Sequence, residues 1–179
     1  MLKFRDSAWN SDSGSLLNPA RMKNSPLFTI GYEHAAADAV LDELARAAIG
    51  VVVDVRAVAA SRRPGFSKRQ LAAALDERGI GYLHLRGLGT PKEGRLAARA
   101  GDVATLFEIY DAHLATAQAR EELDELTEIV RTGRRICLIC YERDPDHCHR
   151  KRVAALISER TGVAIEHLFA PPFVEAARG

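Results

Sequence analysis

At 179 residues, the chain is long enough for one domain with a substantial core, and its 25 Lys and Arg nearly balance its 24 Asp and Glu. The net charge of +1 therefore gives no overall preference for a polyanionic partner. Residues 1–25 lack the apolar stretch of a secretory signal, and no apolar run is long enough to cross a bilayer. We expect a cytoplasmic protein with no membrane partner, whose three cysteines are free thiols.

The first 25 residues are rich in Ser, Asn and Asp and predict a flexible tail, with Met22 as an alternative start. Residues 26–179 predict a single α/β domain. The predicted strands are Leu27–Gly31, Val51–Val55, Tyr82–Leu85, Arg135–Tyr141 and Ala164–Phe169. The predicted helices cover residues 36–48, 67–78, 102–131 with a break near Thr116, and 144–161, while residues 86–101 are predicted as a long loop.

This alternation of apolar strands with helices predicts a three-layer α/β fold. The sheet is expected to be mainly parallel, with about five strands and with helices on both faces. The run Val51–Val55 contains four valines, which is typical of a strand that is buried on both sides. The sequence leaves the order of the strands open.

Polar side chains follow four of the predicted strands at the points where those strands end. The carboxyl ends of parallel strands lie at one edge of a sheet, where ligands bind in α/β proteins. We therefore expect these separated groups to meet at one site. They comprise Tyr32 and Glu33, then Asp54 and Arg56, then His84 and Arg86, and finally Cys140, Glu142, Cys148, His149 and Arg150.

Two predicted helices begin with basic residues, although the positive end of a helix dipole favours acids. Free N–H groups and basic side chains together suit a phosphate. Residues 56–100 also hold ten Lys and Arg against three acids, a net charge of +7. These patterns favour anion binding over a merely solvated basic surface. The predicted substrate-binding residues are Arg56, Ser61, Arg62, Ser67, Lys68, His84, Cys140 and Arg150, with Tyr32 and Phe66 stacking on a base.

Three carboxylates at the same edge, those of Glu33, Asp54 and Glu142, could carry out acid–base chemistry. For Asp54 the alternative is a structural ion pair with Arg56, since a buried carboxylate needs a partner or a function. His84 could exchange a proton or serve as a hydrogen-bonded structural residue.

The cysteines suggest either metal binding or nucleophilic catalysis. Cys137 and Cys140 are three residues apart in a predicted strand and should point to opposite faces, which argues against a shared zinc ion. We therefore predict no metal ligands. Cys148 is predicted in the first turn of a helix beside His149, a setting that favours a thiolate. Cys148 or Cys140 could then act as a nucleophile with His149 as the base, or this segment could simply position the loop.

Several ordered motifs resemble the domain of unknown function 488 family over about Leu27 to Phe169. The motifs are Thr29-Ile30-Gly31-Tyr32-Glu33, Asp54-Val55-Arg56, Ser61-Arg62, Pro64-Gly65-Phe66-Ser67-Lys68, Tyr82-Leu83-His84-Leu85, Leu88-Gly89, Cys140-x-Glu142 and Cys148-His149-Arg150. The resemblance implies a single α/β domain in prokaryotic cytoplasm but no established activity. The chain has Ala57-Val58-Ala59-Ala60 where the family often has a proline. The Asp-Val-Arg motif and the later Cys and Arg also resemble the layout of rhodanese-type sulfurtransferases.

The leading interpretation is an enzyme that acts on a phosphate-bearing substrate, either a nucleotide or a nucleic acid. One alternative is sulfur or phosphoryl transfer through a cysteine. The other is a non-catalytic nucleic-acid-binding module. The cofactor and the oligomeric state are left open by the sequence.

Overall fold

The structure, a computed structural model, describes residues 25–173. These residues form five strands, β1 (Leu27–Gly31), β2 (Val51–Asp54), β3 (Gly81–His84), β4 (Ile136–Cys140) and β5 (Ile165–Leu168). They also form six α-helices, α1 (Ala37–Arg46), α2 (Lys68–Asp76), α3 (Lys92–Arg99), α4 (Val103–Leu114), α5 (Ala117–Arg131) and α6 (Arg150–Thr161). Short 3-10 turns cover Arg86–Leu88 and Pro145–His147. Residues 1–24 of the predicted tail lie outside the described residues.

The five strands form one sheet in the order β3-β2-β4-β1-β5, and every strand pair is parallel. β4 lies at the centre, with Leu138 opposite Val53 on one side and Thr29 on the other. The predicted three-layer fold with a parallel sheet is therefore confirmed. Because β1, β2 and β4 are neighbours, the segments that follow them leave the sheet side by side at its carboxyl edge.

Strand alternation divides the core into two apolar layers, one on each face of the sheet. On one face, Phe28 and Ile30 of β1 pack with α1 and α2. On the other face, Leu138 of β4 packs with α4, α5 and α6. Cys137 belongs to the first layer and Cys140 to the second, so the prediction that these side chains point to opposite faces is confirmed.

The predicted long loop over residues 86–101 is wrong, since helix α3 occupies much of it. Gly94 is buried inside this helix, and a Cβ atom at this position would lie 2.6 Å from Cγ2 of Thr90. This glycine allows close packing and does not mark a loop. It brings α3 against α4, beside the carboxyl edge of the sheet.

The predicted break near Thr116 is confirmed, because the Thr116 hydroxyl accepts a hydrogen bond from the N–H of Ala119 and caps α5. Asp144 caps a helical turn with Pro145 at its start, as predicted, but the continuous helix predicted from this point is wrong. A 3-10 turn ends at His147, Cys148 is extended with φ −129° and ψ 136°, and α6 begins at Arg150. The extended backbone directs the Cys148 side chain into the core beneath β4. Within residues 25–173, each helix is too short or too polar to cross a membrane.

Candidate functional site

A cavity of about 840 Å³ opens at the carboxyl edge of the sheet. Its walls come from the segments that follow β1, β2 and β4, and from α3 and the start of α4. The polar and aromatic side chains that line it are those of Tyr32, Glu33, Arg56, Ser61, Arg62, Arg63, Thr90, Arg95, Arg99, Cys140, Tyr141, Glu142 and His149. The sheet edge therefore gathers many of the residues that the sequence predicts to act together.

A buried ion pair between Asp54 and Arg56 supports the wall that follows β2. Arg56 donates from Nε to Oδ1 at 2.8 Å and from Nη2 to Oδ2 at 2.6 Å, while its Nη1 donates to the Tyr32 hydroxyl and to the Phe66 carbonyl. Burial opposes the charged guanidinium, but hydrogen bonds from it to Asp54 and the carboxylate charge raise the Arg56 pKa overall. Asp54 is fully buried and does not line the cavity.

Two further side chains hold this ion pair in place. The Tyr82 hydroxyl donates to Oδ2 of Asp54 at 2.6 Å, and burial together with this carboxylate raises the Tyr82 pKa. His84 lies with Nε2 2.8 Å from the Arg56 carbonyl oxygen, to which it donates. His84 does not line the cavity, so its position in this structure is that of a support for the backbone at Arg56.

Tyr32 and Phe66 stack on one another with ring centroids 4.1 Å apart and an interplanar angle of 11°. Their exposed fractions are only 3% and 1%. Each ring covers one face of the other and both are buried, so neither is free to receive a base in this structure. Tyr141 is different, because 41% of it is exposed and it lines the cavity.

Basic side chains surround the cavity. Arg63 donates to the carbonyl oxygen of Ala35 at 2.8 Å, and Arg95 donates to that of Thr90 at 2.7 Å, which orients both guanidinium groups. Arg62 and Arg99 are exposed and also line the cavity. Ser61 lines it too, and its hydroxyl accepts a hydrogen bond from the backbone N–H of Arg63. We call Arg62, Arg63, Arg95 and Arg99 the arginine rim.

The two helix starts that the sequence assigned to anion binding do not line this cavity. Ser67 and Lys68 lie outside its walls, and the Ser67 hydroxyl bonds to the side chain of Gln70. Arg150 is fully buried and donates to the Thr29 hydroxyl and to the carbonyl oxygens of Glu142 and Arg143. Arg150 is therefore a structural clamp on the loop after β4, with its donors directed at protein acceptors.

The two carboxylates that line the cavity have different surroundings. Glu33 accepts a hydrogen bond from the backbone N–H of Arg143 at 3.0 Å, which ties the loop after β1 to the loop after β4. Glu142 is largely buried, with Oε2 3.4 Å from Sγ of Cys140. Burial, reinforced by negative charge on Cys148, raises the pKa of Glu142 to about 7.

Cys140, Cys148 and His149 form a buried cluster in which one ligand atom from each lies within 4.8 Å of the others. Sγ of Cys140 is 3.7 Å from Nδ1 of His149. His149 Nε2 lies 2.8 Å from the carbonyl oxygen of Val55, which can only accept, so Nε2 carries a proton and the lone pair of the neutral ring is on Nδ1. Cys140 and His149 line the cavity, whereas Cys148 lies behind them.

The three side chains of this cluster shift one another's pKa values. Burial opposes the Cys148 thiolate, but hydrogen bonds with Cys140 and His149 and the charges of His149 and Arg150 lower the Cys148 pKa overall. The hydrogen bond with Cys148, followed by burial, raises the Cys140 pKa. Burial lowers the His149 pKa, yet the Cys148 thiolate outweighs it and raises that pKa. The cluster therefore favours a thiolate on Cys148 over one on Cys140.

Sequence reasoning did not select Arg95 and Arg99 as site residues. The available signal was the +7 charge of residues 56–100, within which Arg95 and Arg99 have the i, i+4 spacing that places side chains on one face of a helix. The helical spacing was not used because residues 86–101 were predicted as a loop. The position of the helix decides that this face meets the cavity.

Comparison with known proteins identifies a family. Residues 36–157 match the family described as domain of unknown function DUF488. Neither the curated proteins nor the solved structures include a significant match to this chain. The family match covers well over half of the 179 residues and includes the Asp54-Val55-Arg56, Cys140-x-Glu142 and Cys148-His149-Arg150 motifs. The chain therefore belongs to the DUF488 family.

Proposed function

We propose that this protein is an enzyme that acts on a phosphate-bearing small molecule of about the size of a nucleotide. The observation that carries the proposal is the placement of the arginine rim around a cavity of about 840 Å³ that has Glu142 and Cys140 in its wall. Ligand pockets commonly have volumes of about 300–1,000 Å³. The cavity thus has the size of a ligand pocket. Its basic side chains suit anion binding, and its carboxylate suits acid–base chemistry.

The arginine rim supplies the anion-binding part of the site. Guanidinium groups match phosphate oxygens through two parallel hydrogen bonds, and they remain charged at any physiological pH. Arg62 and Arg99 are exposed at the cavity, so a ligand can reach them from solvent. We expect these two side chains to be the first to contact a phosphate.

Apolar surface beside the rim suits the remainder of such a ligand. Tyr141 is 41% exposed and Val58 is 51% exposed, and both line the cavity. An accessible aromatic ring can stack on a nucleobase regardless of its identity. Tyr141 therefore takes the role that the sequence suggested for Tyr32 and Phe66.

Glu142 is the carboxylate that we assign to acid–base chemistry. It lines the cavity beside Cys140, whereas Asp54 is buried behind Arg56 and Glu33 is bonded to the backbone of Arg143. A general acid or base must reach the reacting proton directly or through one water molecule. Among the three carboxylates predicted from sequence, Glu142 best meets this requirement.

The first test is calorimetric titration of the protein with inorganic phosphate and with nucleoside mono- and triphosphates. Replacement of Arg62 or Arg99 by Ala should weaken binding about tenfold or more, since a hydrogen bond to a charged group contributes about 1.5–3 kcal/mol. Arg69→Ala is the matched control, because Arg69 is exposed on α2 and does not line the cavity. Equal affinities in all three variants would refute the assignment of the rim.

The second test separates an enzyme from a binding module. With a ligand found by the titration, Glu142→Gln should retain binding and lose turnover, while Glu108→Gln on the exposed face of α4 should retain both. Binding of single-stranded oligonucleotides that depends steeply on salt, with no binding of mononucleotides, would instead favour the nucleic-acid-binding alternative.

A further inference from the structure

We propose that Cys140, Cys148 and His149 bind a zinc(II) ion in the wall of the cavity, with one coordination position directed toward the ligand. The metal site goes beyond the proposed function and does not depend on it. Only its use in catalysis rests on that function.

The ligand atoms are already gathered at distances that suit zinc. Tetrahedral zinc with Zn–S near 2.3 Å and Zn–N near 2.05 Å places a sulfur and a nitrogen ligand about 3.6 Å apart. The observed separation of Cys140 Sγ from His149 Nδ1 is 3.7 Å, and all three ligand atoms lie within 4.8 Å of one another. The triangle of ligand atoms is therefore close in size to that of a tetrahedral zinc site.

His149 is oriented for coordination by groups outside the cluster. Its Nε2–H donates to the Val55 carbonyl oxygen at 2.8 Å, which leaves the Nδ1 lone pair directed toward Cys140. The Tyr110 ring packs edge-on against the imidazole, with centroids 5.0 Å apart. Histidines that bind metals commonly donate their second N–H to a backbone carbonyl in this way, which fixes the ring and its tautomer.

The donor set favours zinc, and the local fold favours a site with an open position. Thiolate and imidazole ligands suit zinc, and two thiolates neutralise the charge of a divalent ion in a buried place. Cys137 cannot be a fourth ligand, because it lies on the opposite face of β4. Cys140 and His149 line the cavity while Cys148 lies behind them, so the fourth position faces the cavity beside Glu142. Three protein ligands and one open position are the arrangement of catalytic zinc sites.

The first experiment measures zinc content and cobalt binding with the full-length protein under reducing conditions. Protein purified from medium containing zinc should hold about one zinc per chain by elemental analysis, as expected for one site. After chelation, added Co(II) should produce the near-ultraviolet sulfur-to-cobalt absorption and the visible bands of a tetrahedral site. Cys148→Ser and His149→Gln should lose most of this binding. Cys137→Ala should retain it, since Cys137 lies on the other side of the sheet. No bound zinc together with no cobalt absorption in the wild-type protein would overturn the proposal.

A second measurement needs no substitution and so does not depend on whether the variants fold. Zinc should protect Cys140 and Cys148 from alkylation, and a chelator should restore their labelling, as read by peptide mass spectrometry. Unchanged labelling with and without zinc would also overturn the site. Rapid labelling of Cys140 under both conditions would additionally favour thiol chemistry.

The titration of the rim with phosphates keeps the two proposals distinguishable. Zinc binding with no phosphate affinity would leave the metal site intact and refute the proposed function. Phosphate affinity that depends on Arg62, in a chain that binds no zinc, would do the reverse.

Discussion

The guanidinium of Arg56 and the carboxylate of Asp54 form a two-point ion pair in which Asp54 is fully buried and Arg56 is 5% exposed. The pair anchors the segment that leaves β2 toward the cavity. Its members also bond to Tyr82, to Tyr32 and to the Phe66 carbonyl, so three further groups depend on one salt bridge.

Removal of the carboxylate should be far more costly than removal of an exposed one. Asp54→Ala leaves a buried guanidinium without its counter-charge, for which we expect a loss of about 3–5 kcal/mol in the free energy of unfolding. Glu128→Ala, which breaks an exposed i, i+3 pair with Arg131, should cost no more than about 0.5 kcal/mol. Urea denaturation of both variants checks this, and similar losses in the two would contradict the structural role of Asp54.

Arg150 should affect stability and not ligand affinity. Arg150→Met removes donors from the Thr29 hydroxyl and from two carbonyl oxygens, and we expect a loss of at least about 2 kcal/mol. Lys151→Met is the control, because Lys151 makes an exposed pair with Asp146. A folded Arg150 variant of wild-type stability that no longer binds phosphate would show that the side chain reaches the ligand after all.

Gly31 should not tolerate a side chain. A Cβ atom there would lie 1.8 Å from the carbonyl oxygen of Glu142, so Gly31→Ala must push the loop after β4 away from β1. We expect a loss of at least about 1–3 kcal/mol, which is the usual cost of overpacking, together with weaker zinc and phosphate binding. Gly50→Ala places its Cβ an acceptable 3.7 Å from the Arg135 carbonyl and should be nearly neutral in thermal denaturation.

His167 should make the protein less stable in mild acid. Burial, followed by the charge of Arg150, lowers the His167 pKa, while Asp146 and Asp144 oppose Arg150 and Lys151. Its Nδ1 lies 2.7 Å from Oγ1 of Thr29, which also accepts from the Arg150 guanidinium, so a second positive charge on the ring is disfavoured. Because the folded pKa lies below the unfolded value of about 6.5, the unfolded chain binds more protons between the two values. The stability that the neutral His167 ring contributes should therefore be fully present above about pH 6.5 and should decline as the pH falls below this value.

The variant His167→Gln provides the measurement for this dependence. Urea denaturation at a series of pH values from about 7 to about 5 should show a shallower decline in the variant than in the wild-type protein. Parallel curves for the two proteins would assign the pH dependence to other groups.

Local sequence patterns were sufficient for the class of fold and for the general position of the site. The valines of Val51–Val55 marked a strand buried on both faces, and β2 begins at Val51. Asp102 marked a helix start because its side chain can accept from a backbone N–H group within the same turn, and it does so. The break near Thr116 followed from the excessive length of one unbroken helix. These features depend on neighbours a few residues apart, which a sequence displays directly.

Tertiary packing decided which residues of each type face the cavity. Arg150 and Arg99 have the same chemistry, yet carbonyl oxygens from the loop after β4 surround the first while the second lines the cavity. Gly94 was predicted as a loop residue because the sequence does not display its close contact with Thr90. That contact explains why a glycine lies inside the helix.

By itself, the sequence determined the alternation of strands and helices, the parallel sheet and the carboxyl edge at which polar side chains collect. Only the tertiary structure decided that Cys148 joins Cys140 and His149, that Tyr32 is covered by Phe66, and that the rim consists of arginines from two separate segments. The physical reason is the separation along the chain of the residues that interact. Backbone periodicity is set by local hydrogen bonds and burial patterns, whereas the surroundings of a side chain depend on residues that are distant along the chain and meet it only after folding.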